Sequence, residues 1–196
     1  MRGKRHVEII PPMLGLATPV APEMLPPRLY LDVDRVIIVE DSPFEMAVLG
    51  NSGEAYAPEV IRRLGNTCLD LVWLTTRENQ ALELADSLGG LRGGRVLMLA
   101  NPEASAQIAL PGGRVLKRNR HEASTQISLK MSALLGDQVR SPSPFVWVDD
   151  KITPTQRGIV SRYLSVPKLI IQPEGKAGIN EAQLASIEAF ARTHAA

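Results

Sequence analysis

A single cysteine, Cys68, stands in 196 residues, so the chain has no partner for an intrachain disulfide and no multi-cysteine metal site. Such usage fits a reducing compartment. An excess of positive charge is missing too: 22 Lys+Arg face 21 Asp+Glu, a net charge of +1. A general polyanion-binding surface rests on surplus Lys and Arg, so that class is excluded as the defining feature, while a local basic patch is not. No stretch approaches the ~18 uninterrupted apolar residues that a membrane span needs. His6, His121 and His194 show no metal-ligand spacing, and no internal repeat is present. Gly93-Gly94 and Gly112-Gly113 read as turns outside any phosphate-loop motif. Met1-Arg2-Gly3-Lys4-Arg5 resembles the positive start of a signal peptide, but Glu8 and Pro11-Pro12 break the apolar helix that should follow. The expectation is a soluble, cytoplasmic protein.

What is present is uneven. Of 15 prolines, six fall within residues 11–27, so residues 1–27 are expected to form a Pro-rich arm, extended or disordered, outside a single domain over 28–196. Ile9, Ile10, Met13, Leu14 and Leu16 would let the arm pack on the domain or a partner.

From Arg28 onward, short apolar runs alternate with helical patterns. Leu29-Tyr30-Leu31 and Val36-Ile37-Ile38-Val39 flank a pair of aspartates, and Leu69 to Leu74 is apolar apart from Asp70. Further runs cover residues 95–99, 145–148 and 168–171. Runs without polar alternation belong to strands covered on both faces, the mark of a parallel sheet. Helical spacing appears at 58–64, closed by Gly65, and at 78–88. It recurs at 127–135, with Gly136 as a stop, and after an Asn180/Gln183 cap pair. The predicted fold is α/β: a three-layer, Rossmann-like, doubly wound parallel sheet. Cys68, Trp73 and Trp147 are expected in the core.

In such sheets ligands sit beyond the carboxyl ends of the strands. Three apolar runs end in Asp32-Val33-Asp34, in Thr75-Thr76 and in Asp149-Asp150. Carboxylates gathered there repel one another unless a cation intervenes, and all-oxygen ligands favour a hard ion such as Mg2+.

These segments resemble the haloacid dehalogenase (HAD) superfamily. The residues at 29–38 are similar to its first motif, a strand followed by D-x-D-x-[T/V]. Leu71-Val72-Trp73-Leu74-Thr75 resembles the second, and Phe145-Val146-Trp147-Val148-Asp149-Asp150 the fourth. Lys130 best fits the third, with Lys117 as rival; Thr76 is the rival to Thr75. More narrowly, "LVWLTT", "FVWVDD" and "GINEAQLASIEAF" are similar to a subgroup from actinobacteria and their phages, some labelled as HAD domains of RNA-repair proteins. The resemblance implies a phosphatase acting through an aspartyl-phosphate. Asp32 would be the nucleophile, Asp34 the acid and base, Thr75 a phosphoryl ligand and Lys130 a charge-balancing group. Mg2+ would be held by Asp32, by the Asp34 backbone carbonyl and by Asp149, with Asp150 in support.

Arg35 departs from the pattern, since most phosphatases of that superfamily have Gly there. Arg35, with Lys117, Arg118 and Arg120 of the densest basic stretch, is a candidate contact for a phosphorylated substrate. Nucleotide and polynucleotide phosphates are the expected class. The spacing between motifs leaves no room for a large cap domain, only for a flap at about 40–57. A catalytically weak HAD-like module that binds a protein or nucleic acid is the alternative.

Overall fold

The computed structural model describes residues 25–50, 52–77, 80–91, 94–97, 99, 107–109, 115–117 and 129–195, the segments 107–109 and 115–117 as backbone only. All but the last three residues of the expected arm, and Arg118 and Arg120 of the basic stretch, lie outside them. In chain order the elements are β1 (Arg28–Leu31), β2 (Ala47–Val48), β3 (Ala55–Tyr56), α1 (Pro58–Gly65), β4 (Asp70–Trp73), α2 (Gln80–Leu88) and β5 (Arg95–Val96). There follow β6 (Gln107–Ala109), β7 (Val115–Lys117), α3 (Leu129–Arg140), β8 (Phe145–Val148), α4 (Pro154–Tyr163), β9 (Lys168–Ile171) and α5 (Glu181–His194).

Five strands form one sheet in the order β5-β4-β1-β8-β9, every neighbouring pair parallel. β1 and β8 are buried at all four positions, which explains why their sequences are apolar without alternation. Successive side chains still point to opposite faces. Leu29, Leu31, Leu71, Trp73, Val146 and Val148 pack with α1, α2 and α5. Tyr30, Val72, Phe145 and Trp147 pack with α3 and α4 on the other face. The molecule is therefore a three-layer, doubly wound α/β sandwich. From β1 the chain moves outward through β4 to β5, then crosses back to β8 and β9. Strand order reverses between β1 and β8, and the crevice at their carboxyl ends is where this architecture places ligands.

Several local expectations change. The run Val36–Val39 is apolar because it is a buried tight turn, not a strand: the Val33 carbonyl accepts from the N–H groups of Val36, Ile37 and Ile38 at 3.3, 2.9 and 3.0 Å. Gly136 does not stop α3, which runs on to Arg140. Cys68 is exposed rather than core, with a left-handed backbone (φ 56°) in the turn that leads into β4. Both tryptophans are buried as expected. α4 lies outside the helical spacings read from the sequence: only Gln156 and Val160 are buried along it, and Pro154 with a Thr153/Gln156 capping box starts it. The Asn180/Gln183 box anticipated for α5 is formed, with Asn180 Oδ1 accepting from the Gln183 N–H at 3.0 Å.

Between β1 and β4 lie the antiparallel hairpin β2–β3 and α1. The hairpin is joined to the turn after β1 by a bridge between Ile38 and Tyr56. Among the described residues no helix is long and apolar enough to cross a membrane.

Candidate active site

Asp32 and Asp149 are each one residue past the ends of β1 and β8, where the ladder continues for one more bond. The Asp32 N–H donates to the Val148 carbonyl at 3.0 Å and the Asp149 N–H to the Ile171 carbonyl at 3.2 Å. Parallel pairing thus delivers both carboxylates to the switch point side by side. With Asp150 they form a group in which one carboxylate oxygen from each residue lies within 4.8 Å of the others.

Lys130, the second residue of α3, enters from the facing layer. Its ammonium donates to Asp149 Oδ2 at 3.0 Å and to Asp32 Oδ2. The opposite oxygen of each carboxylate accepts a backbone N–H: Asp32 Oδ1 from Val33 and Asp149 Oδ1 from Lys151, both at 2.8 Å. Each of the two carboxylates is therefore held on both sides, which fixes its rotamer before any ligand arrives.

Burial first, and the charge of Asp149 after it, push the Asp32 carboxyl above the ordinary aspartate range, against the pull of Lys130. For Lys130, burial opposes the charged form, but the charges of Asp149 and Asp32 outweigh it and hold the ammonium above its ordinary value. Three carboxylates against the Lys130 ammonium and the half-exposed Arg35 guanidinium beside Asp150 still leave a surplus of negative charge. An all-oxygen donor set with that surplus fits a hard divalent cation such as Mg2+, with Asp32, Asp149 and Asp150 as the groups that would hold it.

The other expected residues take distinct places. Thr75, just past β4, is fully buried, and its hydroxyl accepts the Arg77 N–H at 3.3 Å; Thr76 beside it is exposed. The Asp34 carboxylate is half exposed and stands outside the three-acid group, paired with Arg77 Nε at 3.0 Å. Arg35 has a left-handed backbone (φ 60°), a conformation in which Gly is free of the Cβ penalty of about 1 kcal/mol. Its guanidinium lies at the rim, 3.9 Å from Asp150 Oδ2. Lys117 ends β7, opposite Gln107, on the separate β6–β7 hairpin.

Arg77 was not singled out from the sequence. Besides Asp34, its guanidinium bonds Glu54 Oε1 at 2.7 Å, so one side chain ties the D-x-D turn to the β2–β3 hairpin. Its signal was a cation two residues beyond the strand-ending Thr75. A cleft of about 530 Å³ opens beside it, between that hairpin and α2, lined by Leu49, Ser52, Glu54, Arg77, Gln80 and Glu83 among others. Compared with family models, with curated proteins and with solved structures, the chain gives no match.

Proposed function

We propose that the chain is a Mg2+-dependent phosphomonoester hydrolase that works through an aspartyl-phosphate on Asp32. The observation that carries this reading is the Lys130 ammonium donating to both Asp32 and Asp149 at the switch point of the sheet. An anionic nucleophile meets a phosphate dianion only where positive charge offsets their repulsion. Bound Mg2+ would supply the rest of that charge and polarise a phosphoryl oxygen.

Asp32, pinned by the Val33 N–H and Lys130, presents a carboxylate oxygen that attacks phosphorus. The new O–P bond forms as the P–O bond to the alcohol breaks, and the half-exposed Asp34 gives its proton to the departing oxygen. Asp34 then takes a proton from the water that attacks phosphorus, which releases inorganic phosphate and restores Asp32. Thr75 would bind a phosphoryl oxygen. Arg77 bonds both Asp34 and Glu54, so the hairpin contact through Glu54 bears on where the acid–base carboxylate stands.

The alcohol of the substrate would lie in the cleft on the Arg77 side. Two carboxylates, Glu54 and Glu83, line it against one guanidinium among the described residues. That charge pattern supports a compact polar leaving group, a nucleoside among them, over a polyanionic chain. Phosphate release from a panel of monoesters with Mg2+ tests the proposal. Turnover abolished in Asp32→Asn is expected; full activity in that variant, or no turnover of any ester, contradicts it.

A catalytically weak binding module is the second reading, and the Arg77–Asp34 pair favours it by occupying the acid–base carboxylate. Mg2+ with BeF3− separates the two: an active site should gain thermal stability from that pair of ligands, whereas an inert scaffold should not.

A further inference from the structure

The buried stripe of α3 has polar groups at both ends. Lys130 is at the start, Met131, Leu134 and Leu135 fill the middle, and Asp137 with Gln138 lie near the end. Seven residues are nearly two helical turns, so Asp137 stands on the same face as Lys130, about 10 Å along the axis. That distance carries it from the carboxyl ends of the strands to their amino ends.

There Asp137 Oδ2 accepts three hydrogen bonds: from Tyr30 Oη at 2.6 Å, Arg95 Nη2 at 2.7 Å and Arg28 Nη1 at 3.2 Å. Arg28 also donates to the Ser141 carbonyl and hydroxyl at 2.6 and 2.7 Å, beyond the end of the helix. Gln138 Nε2 donates to the same Tyr30 hydroxyl at 2.9 Å. The side chains of Arg28 and Asp137 are only 8% and 9% exposed, so the bond between them is a buried, charge-assisted contact with a fixed direction. β1 therefore grips α3 twice, through Arg28 and Tyr30 at one end and through Asp32 at the other.

We propose that Asp137 is the positioning residue that sets where the Lys130 ammonium stands. Lys130 lies in the first turn of α3, where backbone N–H groups have no partner within the helix and the end frays. Burial of Leu134 and Leu135 holds α3 against the sheet but is non-directional. The Asp137 contacts, at the centre of those made by Gln138 and Ser141, fix axial and rotational register, because each loses its geometry when the helix moves. A shift of about 1 Å would take the ammonium off the two carboxylates it bridges, enough to matter for a charge-balancing group. The inference concerns the placement of Lys130 and holds whatever reaction the site performs.

The test is nuclear magnetic resonance of the lysine ammonium groups in the full chain in metal-free buffer, with the Lys130 signal identified by its loss in Lys130→Met. Asp137→Asn is compared with Leu184→Ala, a core truncation in α5 on the opposite face, at temperatures well below both melting points. The expected result is that proton exchange at the Lys130 ammonium accelerates about tenfold or more in Asp137→Asn and stays near wild type in Leu184→Ala. Equal exchange in the two variants would assign Asp137 a merely structural role and overturn the proposal. If Asp137→Asn does not fold, Tyr30→Phe, compared with Gln138→Leu, decides, since it removes one of the three bonds to Asp137 along with the Gln138 bond to the same hydroxyl and keeps the ring. Faster Lys130 exchange in Tyr30→Phe than in Gln138→Leu supports the proposal, and equal exchange overturns it. An active Asp32→Asn variant would defeat the hydrolase reading and leave this result standing.

Discussion

The Lys130 ammonium stands 3.0 Å from the Asp149 carboxylate, joining a residue in the first turn of a helix in one layer to one just past the end of a strand of the sheet. It also bonds Asp32, so one cation compensates two carboxylates that are each only 4% exposed. Replacing Lys130 by Met leaves that pair buried without its counter-charge. A loss of about 3 kcal/mol in metal-free buffer is expected, with part of it restored by Mg2+. Thermal melts with EDTA and with Mg2+ check this. Equal melting points for variant and wild type in EDTA would contradict it.

Asp137 should contribute to the acid limb of stability. Burial alone would raise its carboxyl, but the bonds from Arg95 and Tyr30 and the nearby guanidinium charges pull it below the ordinary value of 3.8. A group with a depressed folded pKa stabilises the fold fully above its unfolded pKa and loses that contribution as pH falls through the folded value. Urea denaturation between about pH 2 and pH 6 should show stability rising with pH more steeply in wild type than in Asp137→Asn. Parallel profiles would count against the assignment.

Arg77 ties Asp34 to Glu54, and through Glu54 to the β2–β3 hairpin. Its side chain is a quarter exposed, so the stability loss in Arg77→Gln should be modest, about 0.5–1 kcal/mol. The local effect should be larger. Amide exchange at Leu49, whose N–H donates to the Glu54 carbonyl at 2.8 Å, and at Tyr56 is expected to quicken in Arg77→Gln, and to a lesser degree in Glu54→Gln. Unaltered exchange in both would mean that the hairpin is held by other contacts.

Arg35 adopts φ 60°, where a Cβ is unfavourable. Arg35→Gly should therefore be more stable than Arg35→Ala by about 1 kcal/mol, the reverse of their order in a helix or strand. Chemical denaturation of the two variants measures the difference directly.

The sheet was legible because buried parallel strands are apolar at every position, as at residues 29–31, 71–74 and 145–148. The carboxylates stood out because Asp32, Asp149 and Asp150 close such runs abruptly. Val36–Val39 misled for the same reason: a buried turn is as apolar as a strand, and composition does not separate them. Asp137 follows Gly136, where the sequence pattern ends the helix, and its partner Tyr30 is 107 residues away in the chain. Arg77 was hidden likewise, because its meaning lies in Glu54 of a hairpin whose strands are only two residues long. Pairings of this kind are set by tertiary folding, and no local pattern encodes them.

The central claim is that Asp32 becomes phosphorylated during turnover. Acid quenching of the Mg2+-loaded protein with a phosphorus-labelled monoester, followed by peptide mass analysis, tests it most directly. The account predicts an acyl-phosphate on the peptide containing Asp32, enriched in Asp34→Asn and missing in Asp32→Asn. Turnover with no label on Asp32, or with label on another residue, would contradict it.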